Sequence, residues 1–284
     1  MADNKLRTLQ LCILDIALEF KRICDKHNIN YFLIGGSLLG AVRHKGFIPW
    51  DDDMDMGMLR DDYEKFIKIA KKELRPGFFL QTYKTDPYFG HGFFKIRIDN
   101  TILLEDYAEH SKQHNGIYLD VFPYDVMPDN RMALEWQHIR YRCLKWAAMV
   151  KTDYNLAKYK KQNYFSLFMS KVLFFYSKKD CIDRMQAVCT EYQGKKNRNI
   201  INWFGPYRCN EYMPVKCVRK LTLMEFEGYL FKAPANYDIL LRHMYGDYMQ
   251  LPPVEKRGKQ HSMIKIDFGD YKPHNIKSKE QEKK

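Results

Sequence analysis

A chain of 284 residues with 45% hydrophobic and 15% aromatic content can enclose a sizeable core and is too apolar to be disordered throughout. Its formal charge of +12 favours an anionic partner, and its apolar runs all fall short of the roughly 20 residues that span a bilayer, which excludes a membrane-spanning helix. Seven cysteines without a C-x-x-C pair, and an N-terminus (Met-Ala-Asp-Asn-Lys) without an apolar leader, point to a reduced cytosolic setting rather than a secreted disulfide scaffold.

Leu6, Leu9, Ile13, Ile16, Phe20 and Ile23 recur at three- and four-residue intervals, which predicts an amphipathic helix over residues 4–27, capped by Asp3 or Asn4. A short strand from Tyr31 to Ile34, a helix from Ser37 to His44, a turn around Gly46 to Pro49 and a strand through the aspartates form a strand, glycine turn, helix, strand unit. Tyr63, Phe66, Ile67, Ala70 and Leu74 predict another helix, stopped by Pro76-Gly77. Strand-like segments follow at 78–82, 93–98, 102–105 and 117–122, with Asp99-Asn100-Thr101 as a hairpin turn. From Asn130 to about Arg198 the pattern is helical, aromatic and basic. Leu221 to Leu230, turning at Gly228, then leads into a helix from Tyr237 to Tyr245 that Gly246 ends. The resulting division is an α/β (α+β) core over 1–129, a helical insertion or subdomain over 130–215, a hairpin and helix completing the core over 216–270, and a disordered basic tail over 271–284.

Two sequence clusters carry chemistry. Gly35 and Gly36 let backbone approach a ligand closely, and Ser37 can cap a helix whose first amides face phosphate. In a strand, alternation places Asp51, Asp53 and Asp55 on one face and Asp52, Met54 and Met56 on the other. Three like charges in a row repel unless a cation neutralises them, so they are candidate Mg²⁺ ligands. Asp120 interrupts an otherwise apolar strand, where an unpaired carboxylate is costly, and joins the candidate ligands; Asp125, after Pro123, reads as a turn residue. Lys95 and Arg97 share a strand face and either clamp a phosphate or pair with the aspartates, while Arg43 and His44 sit where a helix end meets a substrate anion.

These residues together resemble the LicD family of the nucleotidyltransferase superfamily, which includes phosphocholine transferases and, more distantly, fukutin-related protein. The resemblance covers Tyr31 to Gly57, Lys95 to Thr101, Gly116 to Asp125, Phe226 to Gly228 and Tyr245-Gly246-Asp247-Tyr248, with Asp247 and His261 as lesser site candidates. It implies a nucleotidyltransferase-like mixed sheet flanked by helices. It also implies a glycine-serine turn before an Asp-hydrophobic-Asp-hydrophobic strand, here Asp53-Met54-Asp55-Met56, and a third aspartate, Asp120, holding two Mg²⁺ or Mn²⁺ ions. Fifteen residues separate Ser37 from Asp53, more than the superfamily's usual gap, which Asp51 would fit, so the choice among Asp51, Asp53 and Asp55 stays open.

The activity implied is transfer of phosphocholine, or a related head group, from a CDP-linked donor to a sugar hydroxyl of a bacterial surface glycan or glycolipid, releasing CMP. Asp53, Asp55 and Asp120 would be catalytic; Gly35, Gly36, Ser37, Arg43, Lys95 and Arg97 would bind phosphate. A nucleotidyltransferase releasing pyrophosphate is the second reading. A non-catalytic basic RNA-binding protein is the third, disfavoured because carboxylates beside a nucleic-acid path repel it without metal, so no nucleic acid is expected as a partner. Residues 151–200 carry eleven Lys or Arg against four Asp or Glu. Within them, Lys158 to Lys179 combines aromatics with flanking lysines, which suits an interfacial helix and a buried helix of the insertion equally well; the expectation is a cytoplasmic protein, peripheral on the inner membrane face in the first case.

Overall fold

The computed structural model describes residues 3–156, 168–169, 171–205, 211–257 and 262–273. Helix α1 (Asp3–Lys26) precedes the short strand β1 (Phe32–Leu33), and α2 (Gly35–His44) leads through a loop into β2 (Asp55–Leu59) and α3 (Arg60–Glu73). Strands β3 (Phe78–Gln81), β4 (Phe94–Ile98), β5 (Ile102–Glu105) and β6 (Tyr118–Val126) follow. Next come α4 (Arg131–Val150), α5 (Lys178–Cys189), β7 (Asn199–Asn202), β8 (Tyr212–Pro214) and the single turn α6 (Lys216–Arg219). The hairpin β9 (Leu221–Phe226) and β10 (Tyr229–Pro234), helix α7 (Tyr237–Tyr245) and β11 (Met263–Asp267) end the described chain.

The fold is α/β with a curled mixed sheet in the order β1-β2-β6-β4-β3, to which β7 and β8 add beyond the far half of β6. Strands β2 and β6 run parallel and every other pairing in it is antiparallel. One face is apolar: Leu33, Met56, Met58, Leu119, Val121, Phe94, Ile96 and Ile98 are buried. Alternation puts these residues on the same side, and α1 and α3 cover them with Ile13, Ile16, Phe20 and Phe66, the ring of Phe66 stacking on Phe94 at 5.2 Å. The opposite face carries the polar residues of the site.

Four expectations are corrected. The aspartate segment is not a strand from its start: 51–54 is irregular and β2 begins at Asp55, where pairing with β6 first becomes available. No hairpin joins 93–98 to 102–105, because both edges of β4 are taken by β3 and β6, and β5 pairs with β11 instead. The region 130–215 is not wholly helical, since β7 and β8 belong to the main sheet. Asp125 is no turn residue. It lies on the helix-covered side of β6, fully buried, and accepts two hydrogen bonds of 2.7 Å from the Arg60 guanidinium. Residues 274–284 of the tail, and residues 158–167 of the segment expected at a membrane interface, lie outside the described residues.

Candidate active site

Register builds the site. Asp55 of β2 pairs with Asp120 of β6, which pairs with Lys95 of β4, which pairs with Gln81 of β3, so four polar side chains stand in one row on the open face of the sheet. Lys95 is buried, its Nζ 2.9 Å from Asp120 Oδ1 and 3.4 Å from the centre of the Tyr118 ring. Arg97 extends behind it over the same ring, donating to Gln81 Oε1 and to the Gly116 carbonyl. Of the two basic residues expected to meet phosphate, Lys95 therefore pairs with an aspartate and Arg97 braces the strands.

The glycine turn faces this row. Helix α2 begins at Gly35, two residues earlier than expected, with Ile34 as its cap residue, so Ser37 is not the cap. Ser37 Oγ instead accepts a 2.8 Å hydrogen bond from the Asp55 amide, which locks the start of β2 to the first turn of α2. Gly35 sits at φ +53°, and a Cβ there would lie 3.6 Å from Asp55 Oδ2 and 3.9 Å from the Tyr245 hydroxyl. A Cβ at Gly36 would come within 2.8 Å of Asp51 Oδ2. The helix start and the carboxylates are thus in direct apposition.

Asp51, Asp52 and Asp53 each place one carboxylate oxygen within 4.8 Å of the others. Asp52, expected on the opposite face, joins the cluster because an irregular loop does not impose strand alternation. The loop backbone is pinned by Gln10 of α1, whose Nε2 donates to the Asp51 carbonyl at 2.9 Å. Asp55 is held well above the usual carboxylate range by loss of water and then by Asp53, Asp120, Glu211 and Asp51. Burial raises Asp120 as well, against the pull of Lys95. Asp51, Asp52 and Asp53 form a hard-oxygen donor set that fits Mg²⁺ or Mn²⁺, and Asp55 and Asp120, the latter paired with Lys95, lie close enough to bear on it electrostatically.

The remaining candidates lie at the rim. Arg43 Nη1 donates to the Tyr248 carbonyl at 2.9 Å, tying α2 to the loop after α7. In the hairpin tip, the Glu227 amide donates to the Lys45 carbonyl at 2.8 Å and its carboxylate accepts from the Phe47 amide, so Phe226 to Gly228 positions the loop leading to the aspartates. Asp247 is exposed and His261 falls outside the described residues, whereas Tyr245 of the same motif brings its hydroxyl to Gly35, on the side where Asp55 lies. Asp52 and Glu211 are the residues that motif reading missed; only the fold brings them to the site.

The LicD/FKTN/FKRP nucleotidyltransferase domain matches residues 28–143, which hold Gly35, Gly36, all five aspartates and Lys95. Residues 28–143 therefore carry a domain of the LicD type. It is 29% identical over 276 residues to the lipopolysaccharide cholinephosphotransferase LicD of Haemophilus influenzae, covering 92% of this chain and 97% of that protein. An uncharacterized protein of Rickettsia prowazekii is 28% identical over 120 residues, 42% of this chain and 41% of its own. The human ribitol 5-phosphate transferase FKRP is 48% identical over 40 residues, 14% of this chain and 8% of its own. The matched domain coincides with the carboxylate row and the glycine turn, and the relative that aligns over nearly the whole chain is a transferase.

Proposed function

We propose that the protein transfers phosphocholine, or a closely related phosphorylated head group, from a CDP-linked donor to a sugar hydroxyl of lipopolysaccharide or a similar surface glycan, releasing CMP. The observation that carries the reading is the row Asp55, Asp120 and Lys95 beside the glycine start of α2. The near full-length similarity to a lipopolysaccharide cholinephosphotransferase supports the head group and the acceptor.

Asp55 and Asp120, with two or more of Asp51, Asp52 and Asp53, would hold Mg²⁺ or Mn²⁺, in one or two ions. When bound, the metal neutralises the donor's diphosphate and the charge that develops on the leaving CMP. The amides of Gly35 and Gly36 orient the phosphate at the helix start. Lys95 keeps Asp120 ionised by direct pairing, which leaves Asp120 able to orient an acceptor hydroxyl and take its proton as the phosphorus–oxygen bond forms. Exposed apolar side chains on α4 and between 168 and 175 add contact with an anionic membrane that carries a lipid-linked acceptor.

Nucleotide product analysis tests this reading, using purified protein, Mg²⁺, CDP-choline and lipopolysaccharide precursor extract, with EDTA and CTP controls. The expected result is CMP release that needs both extract and metal. Pyrophosphate from CTP without CMP from CDP-choline would replace the proposal with nucleotidyl transfer.

A further inference from the structure

Four residues further along β6 from the aspartate row, the same sheet face carries a second polar row. Tyr124 of β6 pairs with Asn202 of β7, and the Asn202 amide donates to the Glu211 carbonyl at 3.0 Å, so Tyr124, Asn202 and Glu211 are neighbours on that face. Glu211 is 5% exposed. Its Oε1 accepts from Asn202 Nδ2 at 2.7 Å and from the Tyr124 hydroxyl at 3.4 Å, while its Oε2 has no hydrogen-bond partner among the described residues. Burial lifts its carboxyl to about 7, and no cation among the described residues offsets that. A buried carboxylate in this state is unfavourable unless a positive charge completes it.

The ground between the two rows is aromatic. Phe122 lies between Asp120 and Tyr124 on the same face of β6, its ring 4.5 Å from Phe93, which is 6.1 Å from Phe204. Phe32, over Gly57, closes the other side with its ring 5.4 Å from Tyr124. Glu211 Oε2 packs against Gly205, next to Phe204, and aromatic rings beside a buried carboxylate suit an alkylated ammonium, which is attracted to ring faces and donates few or no hydrogen bonds. They do not suit a second metal shell, because Asp120 and Tyr124 are four residues apart, about 13 Å along a strand. A phosphate held at the aspartate row and a two-carbon bridge to an ammonium lie within such a span.

We infer that Glu211, with Phe93, Phe122 and Phe204, forms the head-group subsite and selects donors whose transferred group carries a quaternary ammonium. The inference rests on the phosphotransfer reading above and assigns a specificity role to a residue outside the matched family domain. A neutral polyol phosphate at the same place leaves Glu211 uncompensated and is disfavoured.

The test compares wild type, E211Q and E211D with CDP-choline and CDP-glycerol, alongside calorimetric binding of phosphocholine in the presence of Mg²⁺. For E211Q, the ratio of kcat/KM for CDP-choline over CDP-glycerol should fall by about tenfold or more, chiefly through KM, and phosphocholine should bind correspondingly more weakly. E211D should keep the preference for the cationic donor, and thermal melts should show all three proteins folded. Equal loss with both donors, or an unchanged ratio, would overturn the subsite, as would failure of wild type to bind phosphocholine. Wild type that binds phosphocholine through Glu211 yet releases no CMP would instead defeat the phosphotransfer reading and leave the subsite standing.

Discussion

Asp55 shows how the site trades stability for chemistry. Its carboxylate faces Asp53, Asp120, Glu211 and Asp51, and its folded-state titration is displaced upward by lost hydration and those neighbours. A carboxyl whose folded pKa is raised carries no penalty below its unfolded value of about 4, and a growing one as pH rises through the folded value. Metal-free protein should therefore lose stability as pH rises above the ordinary carboxylate range. Asp55→Asn removes that repulsion while leaving the backbone amide at this position free to donate to Ser37. The variant should melt higher than wild type in EDTA at neutral to alkaline pH, and should show little of the Mg²⁺-dependent rise in Tm expected of wild type. Its turnover should drop at least about a hundredfold. A variant less stable than wild type in EDTA would mean that the aspartates are held together by contacts other than a metal.

At the scale of elements, the first turn of α2 and the loop before β2 form one unit, and Gly36 is its closest contact. A methyl group there meets Asp51 Oδ2 at 2.8 Å, so Gly36→Ala must push the Asp51 carboxylate aside, although alanine suits a helix better than glycine. The fold should survive with Tm nearly unchanged, while Mn²⁺ affinity, read by electron paramagnetic resonance, should weaken about tenfold or more. Unchanged affinity would place Asp51 outside the metal set. The same unit marks the limit of what the sequence makes legible. Helices α1, α3 and α7 follow from three- and four-residue spacing, and the glycine turn and the aspartates are visible as motifs. Alternation, however, holds only where a strand has a partner, and Asp51 to Asp53 precede the pairing with β6, so an alternating pattern puts Asp52 on the wrong side. Glu211 has no local signal at all. It reaches the site only through the β6–β7–β8 register, a long-range pairing that no window of sequence contains.

Across the whole molecule, the family domain and the α4–α5 helix pair are tied by buried polar contacts. Arg60 at the start of α3 holds Asp125 of β6 and donates to Gln186 of α5 at 3.0 Å, so the helix pair is fixed to the sheet rather than tethered loosely. That anchoring presents an apolar surface outward: Trp136 and Ile139 on α4, with Val172, Phe174 and Phe175 before α5, are all at least 46% exposed. Trp136, Ile139, Leu173 and Tyr176 line an open cavity of about 540 Å³ between the helices, with Arg140 and Arg184 on its rim. No helix among the described residues is long and apolar enough to cross a membrane. On the proposed reading, the eleven basic against four acidic residues in 151–200 would attract anionic lipid, and the exposed aromatics would insert at the interface. Co-sedimentation with vesicles containing phosphatidylglycerol should therefore capture the protein at low ionic strength. Binding should fall steeply as salt shortens the screening length, and neutral phosphatidylcholine vesicles should bind it weakly. A Trp136→Ser, Phe175→Ser double variant should weaken capture several-fold without altering turnover of a detergent-solubilised acceptor, since neither residue approaches the aspartate row. Absence of capture by anionic vesicles at low salt would assign this face to another partner and leave the transferase site independent of the membrane.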